Sequence, residues 1–311
     1  MNSTPTRCIS PVFASPALLA CLFLIAAPAP ASQCPYGVEL RLSAPEAAQG
    51  SLLLAELRSP QPLRDVAAKW NDRDVPFWKP ELHNGEPPPH ELHKAVLGVD
   101  LEKPAGQYQL TVSATEENGQ RFTCSAQVQV RAGHFATESL TVKNEFVEPN
   151  SQQLARAEAD TKKLRAIYDR VTSEKLWDGE FRIPLDGVVH GVNFGRRRVL
   201  NGHPGSPHGG VDFPSPTGTP VHASQRGRVV LAEDLFFSGN TVVVDHGLGI
   251  YTFYCHFSEI NVTVGQSVNA GDVLGKVGAT GRVTGPHLHW GLSVEHARVN
   301  ALDIVKLPGI S

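Results

Sequence analysis

The chain has no dominant charge. Its 28 Lys and Arg stand against 31 Asp and Glu, a formal net charge of −3 over 311 residues. That excludes a nucleic-acid or anionic-membrane binder held by bulk positive charge. Long apolar runs are also missing. The run Ala17 to Ala27 (ALLACLFLIAA) is well short of the roughly 20 residues that cross a bilayer. No later segment is apolar enough, so no transmembrane segment is expected in the mature chain. There is no internal repeat and no low-complexity tract. With 41% hydrophobic and 19% charged residues, the composition is that of a folded globular chain. At about 150 residues per domain, the length allows two domains, each with its own core.

Cysteine is scarce, with five in all, and its placement is informative. Arg7, the apolar run and the small residues Ala29-Pro30-Ala31 form a signal peptide over residues 1–31. A lipoprotein signal through Leu18-Leu19-Ala20-Cys21 is the weaker reading, because apolar sequence continues past Cys21. Cleavage after Ala31 removes Cys8 and Cys21. The protein is then exported to the periplasm, the cell envelope or the medium. There Cys34 and Cys124, which fall in one predicted domain, are a disulfide candidate; the alternative is two buried thiols. Cys255 is left over.

Residues 32–133 read as a β-sandwich domain. In Phe122 to Val130 the residues Phe122, Cys124, Ala126, Val128 and Val130 alternate onto one face. Tyr108 to Ala114 precedes it across the turn signal Glu117-Asn118-Gly119. Pro60, Pro62, Pro76, Pro80 and Pro87 to Pro89 cut the earlier part into short pieces. His83, His90 and His93 fall in a Pro-rich stretch that reads as a solvated loop. Residues 134–178 form a linker with a helix from Ser151 to Val171. Asn150 caps it, and Leu154, Ala157, Leu164, Ile167 and Val171 fall at helical spacing. The expectation is a connecting helix packed between two domains.

Residues 179–311 turn to β again. The segments 227–232, 240–245, 249–256 and 272–277 are β-branched, short and separated by Gly, which predicts an antiparallel sheet domain. Of the 13 His in the chain, 8 lie between His203 and His296. Three pieces carry chemistry. In His208-Gly-Gly-Val-Asp212 the glycines argue for a loop entering a strand, and both end residues offer Zn²⁺ ligand atoms. In His287-Leu-His289 a strand puts both imidazoles on one face and Leu288 on the other. His256 ends the strand from Ile250 to Phe257. Alternation groups it with Thr252 and Tyr254, and turns Cys255 to the opposite side as a buried thiol. Arg196-Arg197-Arg198 reads as a solvated turn, with contact to an anionic substrate group as the alternative. His203, His222, His246 and His296 read as structural or solvent-facing.

Together these pieces resemble the LytM/lysostaphin-like zinc metallopeptidases of peptidase family M23. The resemblance runs from about Gly179 to Val305. It is carried by His208-Gly-Gly-Val-Asp-Phe213, Gly218-Thr-Pro-Val221, Gly239-Asn-Thr-Val242, Tyr254-Cys-His256, Val264-Gly-Gln-Ser-Val268 and Gly278-Ala-Thr-Gly-Arg-Val-Thr-Gly-Pro-His-Leu-His289. Ala95-Val-Leu-Gly-Val-Asp100 and Pro104-Ala-Gly-Gln-Tyr108 look like the Ig-like domains that precede this peptidase in some exported bacterial proteins. The resemblance implies an all-β chain whose C-terminal part has the antiparallel β-sheet fold of the duplicated-hybrid, LytM-like type. It implies Zn²⁺ on His208, Asp212 and His289, with His256 and His287 as catalytic histidines. It implies a peptidoglycan peptide as substrate, cut in stems or cross-bridges; protein partners are unknown. Some members lose ligands and serve as non-catalytic wall-binding proteins or amidase activators, but none of the five positions is missing here. A cupin-like oxygenase, suggested faintly by His287-Leu-His289 and Glu295, conflicts with the surrounding motifs. The one local departure is Cys255, where Ala is common. The N-terminal domain is expected to place the enzyme on the wall or to shield its groove.

Overall fold

The computed structural model describes residues 32–70, 72–80, 91–188 and 191–310. The predicted signal peptide, His83 and His90 lie outside the described residues. The structure is mostly β. Residues 32–131 form two facing sheets. One has the strand order Ser32–Gln33, Glu39–Leu42, Leu52–Ser59, Glu91–Gly98; the other runs Glu46–Ala48, Arg121–Arg131, Gly106–Glu116, Leu63–Trp70, Arg73–Asp74. Leu40, Leu57, Leu97, Leu110, Val112 and Val128 are wholly buried between them. The predicted alternation in Phe122 to Val130 is present, and Gly119 makes the hairpin turn with a left-handed φ of 90° that suits a residue without Cβ. Cys34 and Cys124 form a disulfide across 90 residues of chain.

His93 is not in a solvated loop. It lies in the strand Glu91–Gly98, is 5% exposed and is bonded to Glu91 at 2.7 Å. The Pro-rich stretch ends earlier than the composition suggests, because the β-branched and apolar run after Glu91 captures His93 into the sheet.

The strand Leu52–Ser59 opens with four consecutive buried residues, so both its faces are covered. Leu53, Ala55 and Leu57 point into the sandwich, while Leu52 and Leu54 join Val96 and Trp78 in the core of the C-terminal domain. There Trp78 meets Trp177 edge-on at 5.2 Å, and the Trp177 indole N–H donates to the Ile310 carbonyl at 2.9 Å. At Gly98 a Cβ would come within 2.7 Å of the Ala297 Cβ, so glycine permits the close approach of the two domains. Asp100 accepts from the Arg298 guanidinium at 2.8 Å beside this contact.

The C-terminal domain is built on one antiparallel sheet in the order Gly210–Pro214, His287–Val294, Ile250–Phe257, Gly239–Asp245, Gly227–Leu235, Ser267–Val268, with Ala297–Val299 paired to Leu292–Val294, beyond the residues that Gly210–Pro214 covers. A small sheet of Pro220–His222, Val273–Lys276 and Glu259–Ile260 closes over one face. Phe213, Val221, Val242, Tyr254, Leu288 and Trp290 fill the space between.

The helix spans Ser151–Tyr168 and begins with a reciprocal cap between Asn150 and Gln153. It is not a spacer between domains. Leu164, Ile167 and Tyr168 pack over Leu231, Leu235, Val243 and Tyr251 on the outer face of the C-terminal sheet. Arg156 and Lys163 pair with Asp234 and Glu233 of the same sheet. Leu154 and Val171, counted in the apolar stripe, are both 47% exposed.

The seam between domains yields a prediction. Trp177→Ala removes a fully buried indole and should cost about 3–5 kcal/mol. In denaturant melts followed by tryptophan fluorescence, the variant should unfold at lower denaturant and in two steps, the C-terminal domain first. A single transition at the wild-type midpoint would show that the seam carries little of the stability.

Candidate metal centre and catalytic cleft

Strand pairing makes the site. Gly210–Pro214 pairs antiparallel with His287–Val294 in a register that sets Asp212 opposite His289. Residues opposite one another in a ladder share a face. His208 stands just ahead of the first strand, held by backbone bonds from Gly195 N–H to its carbonyl and from its own N–H to Arg196. Gly210 is required here. A Cβ on it would lie 2.7 Å from Cε1 and Nε2 of His289, so the missing side chain is what lets that ring lie over the strand.

Three donor atoms converge. His208 Nε2 is 2.8 Å from His289 Nδ1 and 3.0 Å from Asp212 Oδ1, and His289 Nδ1 is 2.9 Å from the same oxygen. His208 Nδ1 faces the Asn193 carbonyl at 2.8 Å. A carbonyl can only accept, so that nitrogen holds the proton and Nε2 of the neutral ring presents a lone pair. It presents it to a carboxylate oxygen, itself an acceptor. One proton on His289 Nδ1 cannot satisfy both neighbours, whereas a cation among the three atoms satisfies all of them. Two imidazole nitrogens and one carboxylate oxygen are a donor set that suits Zn²⁺ and leaves a fourth tetrahedral position open. The geometry therefore fits a resident metal.

His256 and His287 border the same space. Their rings are 4.8 Å apart, and His256 is 6.0 Å from His289. His256 Nδ1 donates to the Thr280 carbonyl at 2.8 Å and His287 Nδ1 to the Gly285 carbonyl at 2.9 Å. Each ring is thus fixed with its proton on Nδ1 and a free Nε2. That of His287 is 3.6 Å from Asp212 Oδ1.

Residues 206–301 match the family model described as peptidase family M23. The C-terminal domain belongs to peptidase family M23. A stretch of 140 residues is 42% identical to the peptidoglycan DD-endopeptidase ShyA of Vibrio cholerae, covering 43% of this chain and 32% of that protein. Over 136 residues the chain is 38% identical to the DD-carboxypeptidase/endopeptidase Mpg of Neisseria meningitidis, covering 43% and 31%. The chain thus spans about a third of the length of these curated relatives. Among solved structures, a putative peptidase M23 from Pseudomonas aeruginosa superposes with a TM-score of 0.58 at 29% identity, covering 84% of this chain and 95% of that one.

His256 reaches the M23 site by a route that alternation does not predict. The ladder pairs Tyr254 with Trp290 and Cys255 with His289. Thr252 and Tyr254 therefore face inward, where they bond to each other at 2.9 Å and to His246 and Ser224. His256 would follow them into the core. Instead it has a left-handed φ of 66°, at an irregularity where Asn240 pairs with Phe257 and Val242 with Tyr254. This bulge turns the imidazole out to His287 and His289. The grouping of His256 with Thr252 and Tyr254 is thus corrected. So is the placement of Cys255 on the side away from the site: it stands in the row of Asp212 and His289. It is buried at 1% exposure, and burial pushes its thiol pKa well up, so it is not a reactive thiolate.

The other wall of the M23 cleft comes from the linker. Thr137–Leu140 pairs in parallel with Arg197–Leu200, which brings Glu138, Leu140 and Val142 to the cleft beside Arg198, Arg282 and Thr284. Arg196-Arg197-Arg198 is therefore not a solvated turn. Arg196 pairs with Glu138 at 3.1 Å, and the Arg198 guanidinium donates to Asp212 Oδ2 at 3.2 Å. Arg197 points outward and Arg198 inward, the alternation of a strand. That alternation was a usable signal; the pairing with residues 60 positions earlier had none. His203 is exposed, whereas His222 and His246 are held by backbone carbonyls of Gly271 and Arg226. His296 is half-buried beside Asp169.

Burial sets the protonation states. It raises the Asp212 carboxyl, but hydrogen bonds and charge from His208 and His289 outweigh it and hold the group far below the usual carboxylate range. Burial, then the neighbouring imidazoles, pushes His256 down to about 3. Burial also takes His289 down to about 4, against the pull of Asp212. Both rings are neutral at pH 7, the state in which an imidazole ligates or accepts a proton.

Arg198 fixes the second oxygen of the Asp212 carboxylate. Arg198→Met should lower affinity for Zn²⁺ about 10- to 100-fold, measured by competition with a chromogenic chelator. Unchanged affinity would show that Asp212 needs no such support.

Proposed function

We propose that this chain is an exported zinc-dependent endopeptidase that hydrolyses peptide bonds in peptidoglycan stems or cross-bridges. The observation that carries the reading is the convergence of His208 Nε2, Asp212 Oδ1 and His289 Nδ1, with two further imidazoles facing the same cleft. The M23 match and the relatives named as peptidoglycan DD-endopeptidases supply the substrate class. The Cys34–Cys124 disulfide supports an oxidising compartment, periplasm or envelope.

His208, Asp212 and His289 hold the metal in this reading. When bound, Zn²⁺ supplies a Lewis acid that acidifies water and polarises the scissile carbonyl. The rest falls to the protein. Arg198 and the Asn193 carbonyl keep Asp212 and His208 in their ligating orientations. Thr280 and Gly285 keep the protons of His256 and His287 on Nδ1, so each Nε2 is a free base toward the cleft. This pair takes a proton from the attacking water and returns it to the leaving amine. Once protonated, an imidazole also stabilises negative charge on the carbonyl oxygen. The complete five-residue set speaks against a non-catalytic wall-binding or amidase-activating role. None of residues 32–133 lines the cleft among those described, which favours a bracing role for the sandwich over a shield.

The purified zinc-loaded protein should release peptide products from defined peptidoglycan fragments, identified by mass. Chelation and His289→Ala should each stop the release. His256→Ala and His287→Ala should keep the metal yet lower kcat about 10²- to 10⁴-fold. Cleavage by metal-free His289→Ala would refute the ligand set.

A further inference from the structure

Among the described residues, one cation in the cleft has no counter-charge. Arg282 lies in the loop that runs from Gly278 to His287. Its backbone N–H donates to the Phe237 carbonyl at 2.8 Å, and its guanidinium lies over the Phe237 ring, 4.6 Å from the centroid. Among the described residues no carboxylate pairs with it and no acceptor takes a hydrogen bond from it. The two cleft carboxylates are engaged elsewhere, Glu138 with Arg196 and Asp212 with Arg198, His208 and His289. Nor is Arg282 a solvated surface residue. It is half-buried, and burial followed by the charge of Arg198 destabilises its cationic form. A guanidinium taken out of water without a partner is costly, and an anion arriving in the cleft removes that cost.

We propose that Arg282 binds a free carboxylate of the peptide substrate, carried by the residue on the amine side of the scissile bond. The proposal rests on the peptidase reading above and adds the feature of the peptide that is recognised. A peptide offers carboxylates as its anions, and a guanidinium meets one through two parallel N–H donors. Stacking on Phe237 holds the plane of the group while leaving those edges free. The loop also fixes the distance to the chemistry. Two residues before Arg282, Thr280 anchors His256; five residues after it comes His287. A carboxylate held there sits within one short loop of both imidazoles. Terminal stem residues with an unmodified carboxyl group are therefore preferred over amidated ones.

The probes are N-acetyl-D-alanyl-D-alanine and its C-terminal amide, titrated into the zinc-loaded full protein and followed by protein NMR shifts. Wild type should bind the acid about 10- to 100-fold more tightly than the amide. Arg282→Gln should remove that difference by weakening the acid alone, and Arg282→Lys should restore part of it. Zinc affinity and melting temperature should stay at wild-type values in both. Matched stem peptides with free or amidated ends should show the same ratio in kcat/KM. Three results overturn the proposal: no acid preference in wild type, including no binding of either probe; equal loss for both probes in Arg282→Gln; or a preference that survives in that variant, which would assign the carboxylate to the metal. If binding behaves as expected but no variant or wild type hydrolyses the stem peptides, the carboxylate site stands and the peptidase reading fails.

Discussion

The pairing of Asp212 with His289 across two antiparallel strands is the constraint on which the site depends. A one-residue slip in that ladder would turn over one of the two strands. Either Asp212 or His289 would turn into the core, and the two would no longer share a face. The register is held by the residues between them: Val211, Phe213, Leu288 and Trp290 are all buried under the small second sheet. The hydrophobic core thus specifies the donor cluster, because the same pleat that buries four large apolar side chains presents the donor atoms on the other face.

The N-terminal sandwich extends this rigidity. It is docked by Leu52, Leu54, Val96 and Trp78 on a core that continues through Trp177 to Phe213 and Trp290. The contact at Gly98 falls on Val294 and Ala297, at the far end of the strand whose first residues are His287 and His289. The brace therefore grips the site-bearing strand at one end and leaves the cleft free at the other. The linker after the sandwich returns along that cleft as the strand Thr137–Leu140, so the segment joining the domains also shapes the groove.

What could be read in the sequence was what rests on local period and chemistry. The HxH spacing put His287 and His289 on one face, because two-residue alternation holds at the start of His287–Val294. It failed at His256, where a single left-handed residue reverses the face. Nothing in Tyr254-Cys-His256 signals a positive φ, since it is imposed by Ser238, Thr280 and the bulge opposite Thr241. Arg198 and Glu138 were misjudged or unseen for a different reason. Their partnership comes from a parallel pairing of distant segments, and long-range pairing leaves no mark in either segment alone. His93 and the helix went astray on context. A polar residue beside prolines looks solvated until its strand partner is known, and an apolar stripe does not say which sheet it covers. The disulfide was legible because compartment and domain left Cys34 and Cys124 as natural partners.

The electrostatic balance of the cleft gives these parts a common sense. The Asp212 charge is matched by Arg198, and Glu138 is matched by Arg196, so protein carboxylates leave the groove close to neutral. Arg282 is the cation left over, and a divalent ion on the donor triad, as proposed, would make the groove strongly positive. Burial, then the neighbouring imidazoles, lowers the pKa of His256 and keeps its ring unprotonated and able to accept a proton. In the proposed reaction the cationic groups of the cleft would favour a substrate carboxylate as well as the oxyanion of the addition step. A neutral imidazole such as that of His256 is not secured in an exposed histidine, which would share the solvent's screening. It requires the bulge at His256, the loop from Gly278 to His287 and the linker wall to enclose the donors together.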